Sequence, residues 1–179
     1  MNQTEEKKQS KSKWLILLLL LITLISIGIA IWALFFRGPD VTLTPDYAPE
    51  QTEQNQQPIE GDTDDKADAA EGGGSVSLTY SDTVVIDLSD ETASLYFANP
   101  GKSDKDMVLQ IIVQEEILVQ SGRLTPGHQV TLLDLLDGAA GKLSAGGYNG
   151  KFTVIYYHTE TGEKAVVNTE IPITITVID

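Results

Sequence analysis

Histidine is the side-chain type that exchanges protons near neutral pH, and the chain has two, His128 and His158. His128 follows Pro126-Gly127 and His158 precedes Thr159-Glu160-Thr161-Gly162, so both stand beside turns. Ser121, His128 and Asp134 can be written as a hydrolytic triad. Ser121, however, is not set in a G-x-S-x-G elbow that would present its hydroxyl, and exposed turn residues are the plainer reading. Zinc needs three or four His, Cys or carboxylate ligands at suitable spacing, and no such spacing occurs. The absence of cysteine excludes a disulfide scaffold, a thiolate metal site, a cysteine nucleophile and an acylated lipoprotein.

The acids need separate tests. Asp62, Asp64, Asp65 and Asp68 faintly suggest a calcium loop. An EF-hand begun at Asp62 would need an acid or Asn at Lys66, Gly at Ala67 and Glu at Gly73, and all three fail. The cluster reads as a solvated charge run. Asp87, Asp90 and Glu91, or Asp134 and Asp137, could bind calcium weakly between loops, against the plainer reading of turn-capping acids. Gly72-Gly73-Gly74 reads as a hinge, not a phosphate loop. No residue is assigned a catalytic, cofactor-binding or metal-ligating role, and no cofactor is expected.

The elements that would carry these side chains are strands. From Ser75 onward the apolar residues recur with period two: Val76, Leu78 and Tyr80; Val84, Ile86 and Leu88; Ala93, Leu95 and Phe97. Met107, Leu109, Ile111 and Val113 follow, then Ile117–Gln120, Val130 with Leu132, and Phe152, Val154 and Tyr156. Ile171, Ile173, Ile175 and Val177 come last. Asn99-Pro100-Gly101 and Thr125-Pro126-Gly127 are turns, and Asp134–Leu143 holds a short helical turn. Many short strands at such spacing predict an all-β domain, an antiparallel β-sandwich of about 7–9 strands.

Ahead of that domain the run 14–36, Trp14 to Phe36, is uncharged and rich in Leu and Ile. At about 1.5 Å rise per residue it is about 34 Å long, enough to cross a bilayer core of about 30 Å. Trp14 and Trp32 lie near its ends, as interfacial aromatics do. Lys7, Lys8, Lys11 and Lys13 precede it and only Arg37 follows closely, which orients the N-terminus to the cytoplasm. A cleaved signal peptide is the competing reading. Its apolar core is normally shorter, and the small residues Gly28-Ile29-Ala30 are followed here by more apolar sequence.

The formal net charge is −14. Residues 37–74 carry ten of the acids together with four prolines, a Gln/Asn run and the triple glycine, but few residues able to pack. Such a composition predicts a disordered linker spanning roughly 35 Å as a coil. The expected organisation is 1–13 basic cytoplasmic tail, 14–36 transmembrane helix, 37–74 linker and 75–179 extracytoplasmic domain. The acidic balance repels phosphate backbones and excludes nucleic acid as a partner.

Leu143-Ser144-Ala145-Gly146-Gly147-Tyr148 and the strand after it resemble the tyrosine corner of immunoglobulin-like and fibronectin-like sandwiches, in which a Tyr hydroxyl bonds back to upstream backbone. The whole layout, including Ala98-Asn99-Pro100-Gly101 and Leu124-Thr125-Pro126-Gly127, resembles small single-pass membrane-anchored proteins of Gram-positive bacteria. The resemblance implies an Ig-like fold outside the cell membrane and carries no catalytic residue across. Surface sandwiches of such bacteria sometimes contain a Lys–Asn isopeptide bond. Asn168 is suitably late, but the first lysine of the domain, Lys102, lies too far along for that pattern. The expected function is a non-catalytic binding or structural module of the cell envelope, with another envelope protein or a cell-wall component as partner and no small-molecule substrate. An envelope hydrolase or a weak calcium-binding domain using the loop carboxylates is the alternative.

Overall fold

The computed structural model describes residues 14–28, 45–63, 65–67 and 74–179. The chain divides into two compact units, Met1–Leu43 and Thr44–Asp179. In the first, residues 14–28 form a helix, α1, with every side chain exposed, Trp14 at 66% and Leu17 at 67% among them. Its hydroxyls turn back on the helix: Thr23 Oγ1 donates to the Leu20 carbonyl at 2.8 Å and Ser26 Oγ to that of Ile22 at 2.9 Å. Among the described residues no helix is long and apolar enough to cross a membrane. The remainder of the expected span, 29–36, lies outside them.

The second unit is all-β. Its strands are β1 (Gln57–Pro58), β2 (Thr79–Tyr80), β3 (Thr83–Asp87), β4 (Thr92–Asn99), β5 (Lys105–Val113), β6 (Glu116–Gln120), β7 (His128–Asp134), β8 (Gly146–His158) and β9 (Lys164–Ile178). They form one curled sheet in the order β1-β7-β4-β3-β9-β8-β5-β6, with β2 also on β4. All pairings are antiparallel except β3 with β9. The curl brings the ends together: Val119 of β6 bridges Leu135, and the Leu136 amide donates to the Leu118 carbonyl at 2.8 Å.

Alternation decides which face turns inward. Phe97 of β4 and Phe152 of β8 meet edge to face across the core, their centroids 6.0 Å apart. Val84, Ile86, Leu109, Ile111, Val130 and Ile175 complete the layer around them. The last strand is not at a sheet edge along its C-terminal part, where Thr174–Val177 lies between β3 and β8. Ser75–Leu78, for all its alternation, is irregular, and only Thr79–Tyr80 pairs. The expected helical turn is a 3-10 turn at Ala140–Lys142.

The Tyr148 hydroxyl donates to the Ser144 carbonyl at 2.9 Å, so the expected back-bond forms. Ser144 is exposed and Tyr148 half-buried, so water competes for this bond. Tyr148→Phe is expected to cost about 0.5–1.5 kcal/mol in a denaturant titration. No change in the unfolding midpoint would contradict that contribution.

The stretch expected to be a disordered linker is the main correction. Residues 45–63 and 65–67 lie against the sheet, and the β unit begins at Thr44, not Ser75. Composition predicted disorder because apolar residues are few, but this segment is held by its backbone. Ala48 N–H donates to the Gly162 carbonyl at 2.8 Å, Lys164 N–H to that of Asp46 at 2.8 Å, and Arg123 N–H to that of Gln51 at 3.1 Å. Further on, β1 pairs with Gln129 and His128 of β7, and Ile59 N–H donates to the Gly127 carbonyl at 2.9 Å.

Candidate functional site

Strands β5 and β8 present two faces. Met107, Leu109, Phe152 and Val154 point into the core, so Asp106, Val108, Gln110, Thr153, Ile155 and Tyr157 occupy the opposite face. Those outer residues are nevertheless buried. Val108, Ile155 and Tyr157 form a small second cluster, and the residue packed onto it is Ala48. Residues 45–58 thus act as an arm laid over the outer face. Tyr157 Oη donates to the Pro45 carbonyl at 3.2 Å, and burial pushes this phenol up, with Asp46 adding to the effect.

Polar side chains fix the arm at its crossings. Glu53 Oε2 accepts the Gly122 N–H at 2.7 Å, and Oε1 accepts the Asn55 N–H at 3.0 Å. Lys66 Nζ donates to the carbonyls of Gly101 at 2.7 Å and Ser103 at 2.9 Å, and Asp62 accepts the Gly101 N–H. Two glycines admit this backbone. A Cβ on Gly122 would stand 2.8 Å from Glu53 N, and one on Gly101 would stand 2.4 Å from the Thr63 carbonyl oxygen. Neither has a positive φ, so space, not conformation, calls for glycine at both.

Beside the arm lies a buried charge. Asp106 is 4% exposed at its side chain and stands 3.7 Å from Arg123 Nε. Burial pushes the Asp106 carboxyl up, while Arg123 and then Lys66 pull it down. Its Oδ1 lacks a hydrogen-bond partner among the described residues, as do Arg123 Nε beside it and Thr153 Oγ1 further along the ladder, opposite Gln110. A carboxyl raised above its unfolded value of about 3.9 stabilises the fold fully below that value. The stabilisation is lost as pH rises through the folded pKa. Asp106→Asn removes this burden, but it also removes the charge facing Arg123, whose Nε is buried without a hydrogen-bond partner among the described residues although the side chain as a whole is partly exposed. The melting temperature of the variant relative to the parent should rise as pH goes from 3 to 7.5, because only the parent carries the buried carboxylate at the higher pH. A midpoint difference unchanged with pH would contradict this.

The residues singled out by type are dispersed. Ser121 Oγ accepts the Leu109 N–H at 2.9 Å and donates to the Gly122 carbonyl at 2.8 Å, which ties the hydroxyl to its own turn and to β5. His128 Nδ1 lies 2.9 Å from Thr125 Oγ1 and 3.1 Å from the Pro126 carbonyl. Asp134 is at the other end of β7, about 20 Å away along the strand, so Ser121, His128 and Asp134 are not assembled. His158 ends β8 at the hairpin before β9. Asp87 Oδ1 accepts the amides of Ser89 at 2.9 Å and Asp90 at 3.2 Å, a turn cap. Asp87 and Asp134 flank Thr92 in one register row, with Glu91 in the turn between β3 and β4. Among the described residues no three His or carboxylate groups are placed to hold a metal ion. Asp64 and Asp68 lie outside the described residues. Lys102 sits in the β4–β5 turn, and Asn168 faces Ile155 across the β8–β9 ladder.

A shallow open groove of about 460 Å³ lies where β5, β8 and β9 meet the β5–β6 turn, over Ile112, Asn149 and Pro172. Its Lys151 Nζ is 2.9 Å from Glu170 Oε1, and that hydrogen bond raises the Lys151 pKa.

No family model matches the chain, and no curated protein matches it. Among solved structures, AggA, the major subunit of the aggregative adherence fimbriae type I of Escherichia coli, is similar with a TM-score of 0.31 and 12% identity, over 58% of this chain and 95% of its own. The CooA pilin subunit of enterotoxigenic Escherichia coli gives 0.26 and 15%, over 58% and 99%. At these scores the likeness is loose.

Sequence reasoning missed the arm and the face beneath it. One signal was available. Met107-Val108-Leu109 with Ile111-Ile112-Val113, and Val154-Ile155-Tyr156-Tyr157, are nearly continuous apolar runs, as expected of strands covered on both faces.

Proposed function

We propose that the chain is a single-pass membrane protein whose N-terminal helix, Trp14–Phe36, holds an Ig-like β-sandwich outside the cytoplasmic membrane. In this reading β1, β7, β4 and β3 form one layer and β9, β8, β5 and β6 the other. The domain serves as a non-catalytic structural or binding module of the cell envelope, of the kind anchored on Gram-positive bacteria, with another envelope protein or a cell-wall component as its partner.

The observation that carries the anchor is α1. Its large apolar side chains are exposed, and its two hydroxyls in 14–28 bond to the helix backbone, as they must where no water is available. The lysines before it supply the orientation. The structural role is supported by how the polar side chains of the β unit are used. Ser121, Asn99, Glu53 and Asp62 each bind backbone of a neighbouring segment. Protease added to intact cells should remove the region beyond about residue 38. Protection of the β unit in intact cells, with cleavage after lysis, would overturn the topology.

A further inference from the structure

The arm has the properties of a part that can change owner. No residue from 45 to 58 is buried, whereas three of the residues beneath it are at most 2% exposed. Its backbone pairings are made with three separate places on the body: Gly162–Lys164 at the start of β9, the Gly122-Arg123 turn, and the free side of β7. Each is an extended-backbone pairing, so another copy of the same segment satisfies every one of them equally. The arm ends at a hinge. Ile59–Asp62 turns back on itself through Gly61 at φ 74°, with Asp62 N–H donating to the Ile59 carbonyl at 3.3 Å. Past the hinge the chain is clipped independently by Asp62 and Lys66 to Gly101 and Ser103.

We propose that residues 45–58 are an exchangeable arm and that the outer face of β5 and β8 is a docking surface for the same arm of a second copy of this chain. Opening at Gly61 frees the arm while Asp62 and Lys66 stay in place. It also uncovers Val108, Ile155 and Tyr157, an apolar patch flanked by the Gly122 N–H and the edge of β9. The occupant this surface is shaped for is an extended segment with a small residue on the patch and a carboxylate five positions later. Ala48 and Glu53 provide that pattern, so a neighbouring copy is a fitting partner. Such exchange is a low-cost route to association because it creates no new type of contact.

Engineered cysteines give a clean test, since the chain has none. Tyr47 and Glu163 are antiparallel partners flanked by the bonds Ala48 to Gly162 and Lys164 to Asp46. They therefore form the close, non-hydrogen-bonded kind of pair that a disulfide can join. Full-length Tyr47→Cys chains are mixed with full-length Glu163→Cys chains of different tag mass, oxidised, and run on a non-reducing gel. A parallel mixture replaces the second chain with Ser89→Cys, in the exposed β3–β4 turn. Exchange predicts a mixed disulfide several-fold above the Ser89→Cys control, together with an intramolecular crosslink in the Tyr47→Cys/Glu163→Cys double variant. A mixed product no greater than the control, with the double variant crosslinked only within chains, would show that the arm keeps its owner. Absence of both crosslinks would show that the arm does not dock at Glu163.

Discussion

Truncation after Glu170 is expected to abolish folding of the β unit. The nine residues removed include Ile171, Ile173, Ile175 and Val177, which are 7%, 4%, 0% and 2% exposed. At about 1.5–3 kcal/mol for each buried aliphatic side chain, their loss matches the entire 5–15 kcal/mol by which such a domain is stable. The damage extends beyond the removed side chains. Thr174–Val177 is the parallel neighbour of β3 and the antiparallel neighbour of β8, so its removal opens the sheet between the two halves. Pro172, which cannot donate to a ladder, lies opposite Lys151 just before that central stretch, where β9 has a partner on one side only. Thermal melting followed by far-ultraviolet circular dichroism checks this. A truncated protein that still melts cooperatively near the parent temperature would mean that β9 is an appendage.

Deleting residues 45–63 should have the next largest effect. The deletion removes the backbone bonds to Gly162, Lys164, Arg123 and Gly127, each worth about 0.5–1.5 kcal/mol net. It also uncovers Val108, Ile155 and Tyr157 and strips the cover from beside the buried Asp106–Arg123 pair. A net loss of about 3 kcal/mol lowers the melting midpoint by roughly 10 °C, and the exposed patch should promote self-association. A point substitution separates this effect from simple shortening. Gly122→Val places a Cβ against the Glu53 backbone and should displace that crossing alone, with a smaller fall. A deletion variant as stable and as monomeric as the parent would mean that the segment is only a spacer.

The strands were legible where alternation was strong and one face stayed wet. β4, β9 and the inward residues of β5 and β8 follow directly from Ala93-Leu95-Phe97 and Ile171-Ile173-Ile175-Val177 and their counterparts. The Asn99-Pro100-Gly101 and Thr125-Pro126-Gly127 turns and the back-bond from Tyr148 were readable because they are local. The arm was not. Its order comes from backbone groups whose partners lie far along the chain, as with Ala48 and Gly162 or Glu53 and Gly122, and its composition resembles that of a free chain. Gly101 and Gly122 look like ordinary turn glycines in the sequence, and their role as notches is visible only once the opposing backbone is placed. Asp106 was hidden for a similar reason, because a carboxylate on the outer face of a strand is expected to be in water unless something covers it.

Amide hydrogen exchange across residues 45–63 of the full-length chain tests most directly that the acidic stretch belongs to the β unit. The amides of Ala48, Glu53 and Ile59 donate to the carbonyls of Gly162, Arg123 and Gly127, and the account predicts that they exchange well below random-coil rates, together with the Gly122 and Arg123 amides that face the arm. Random-coil exchange throughout 45–63, with protection beginning only in the strands after Gly74, would contradict it.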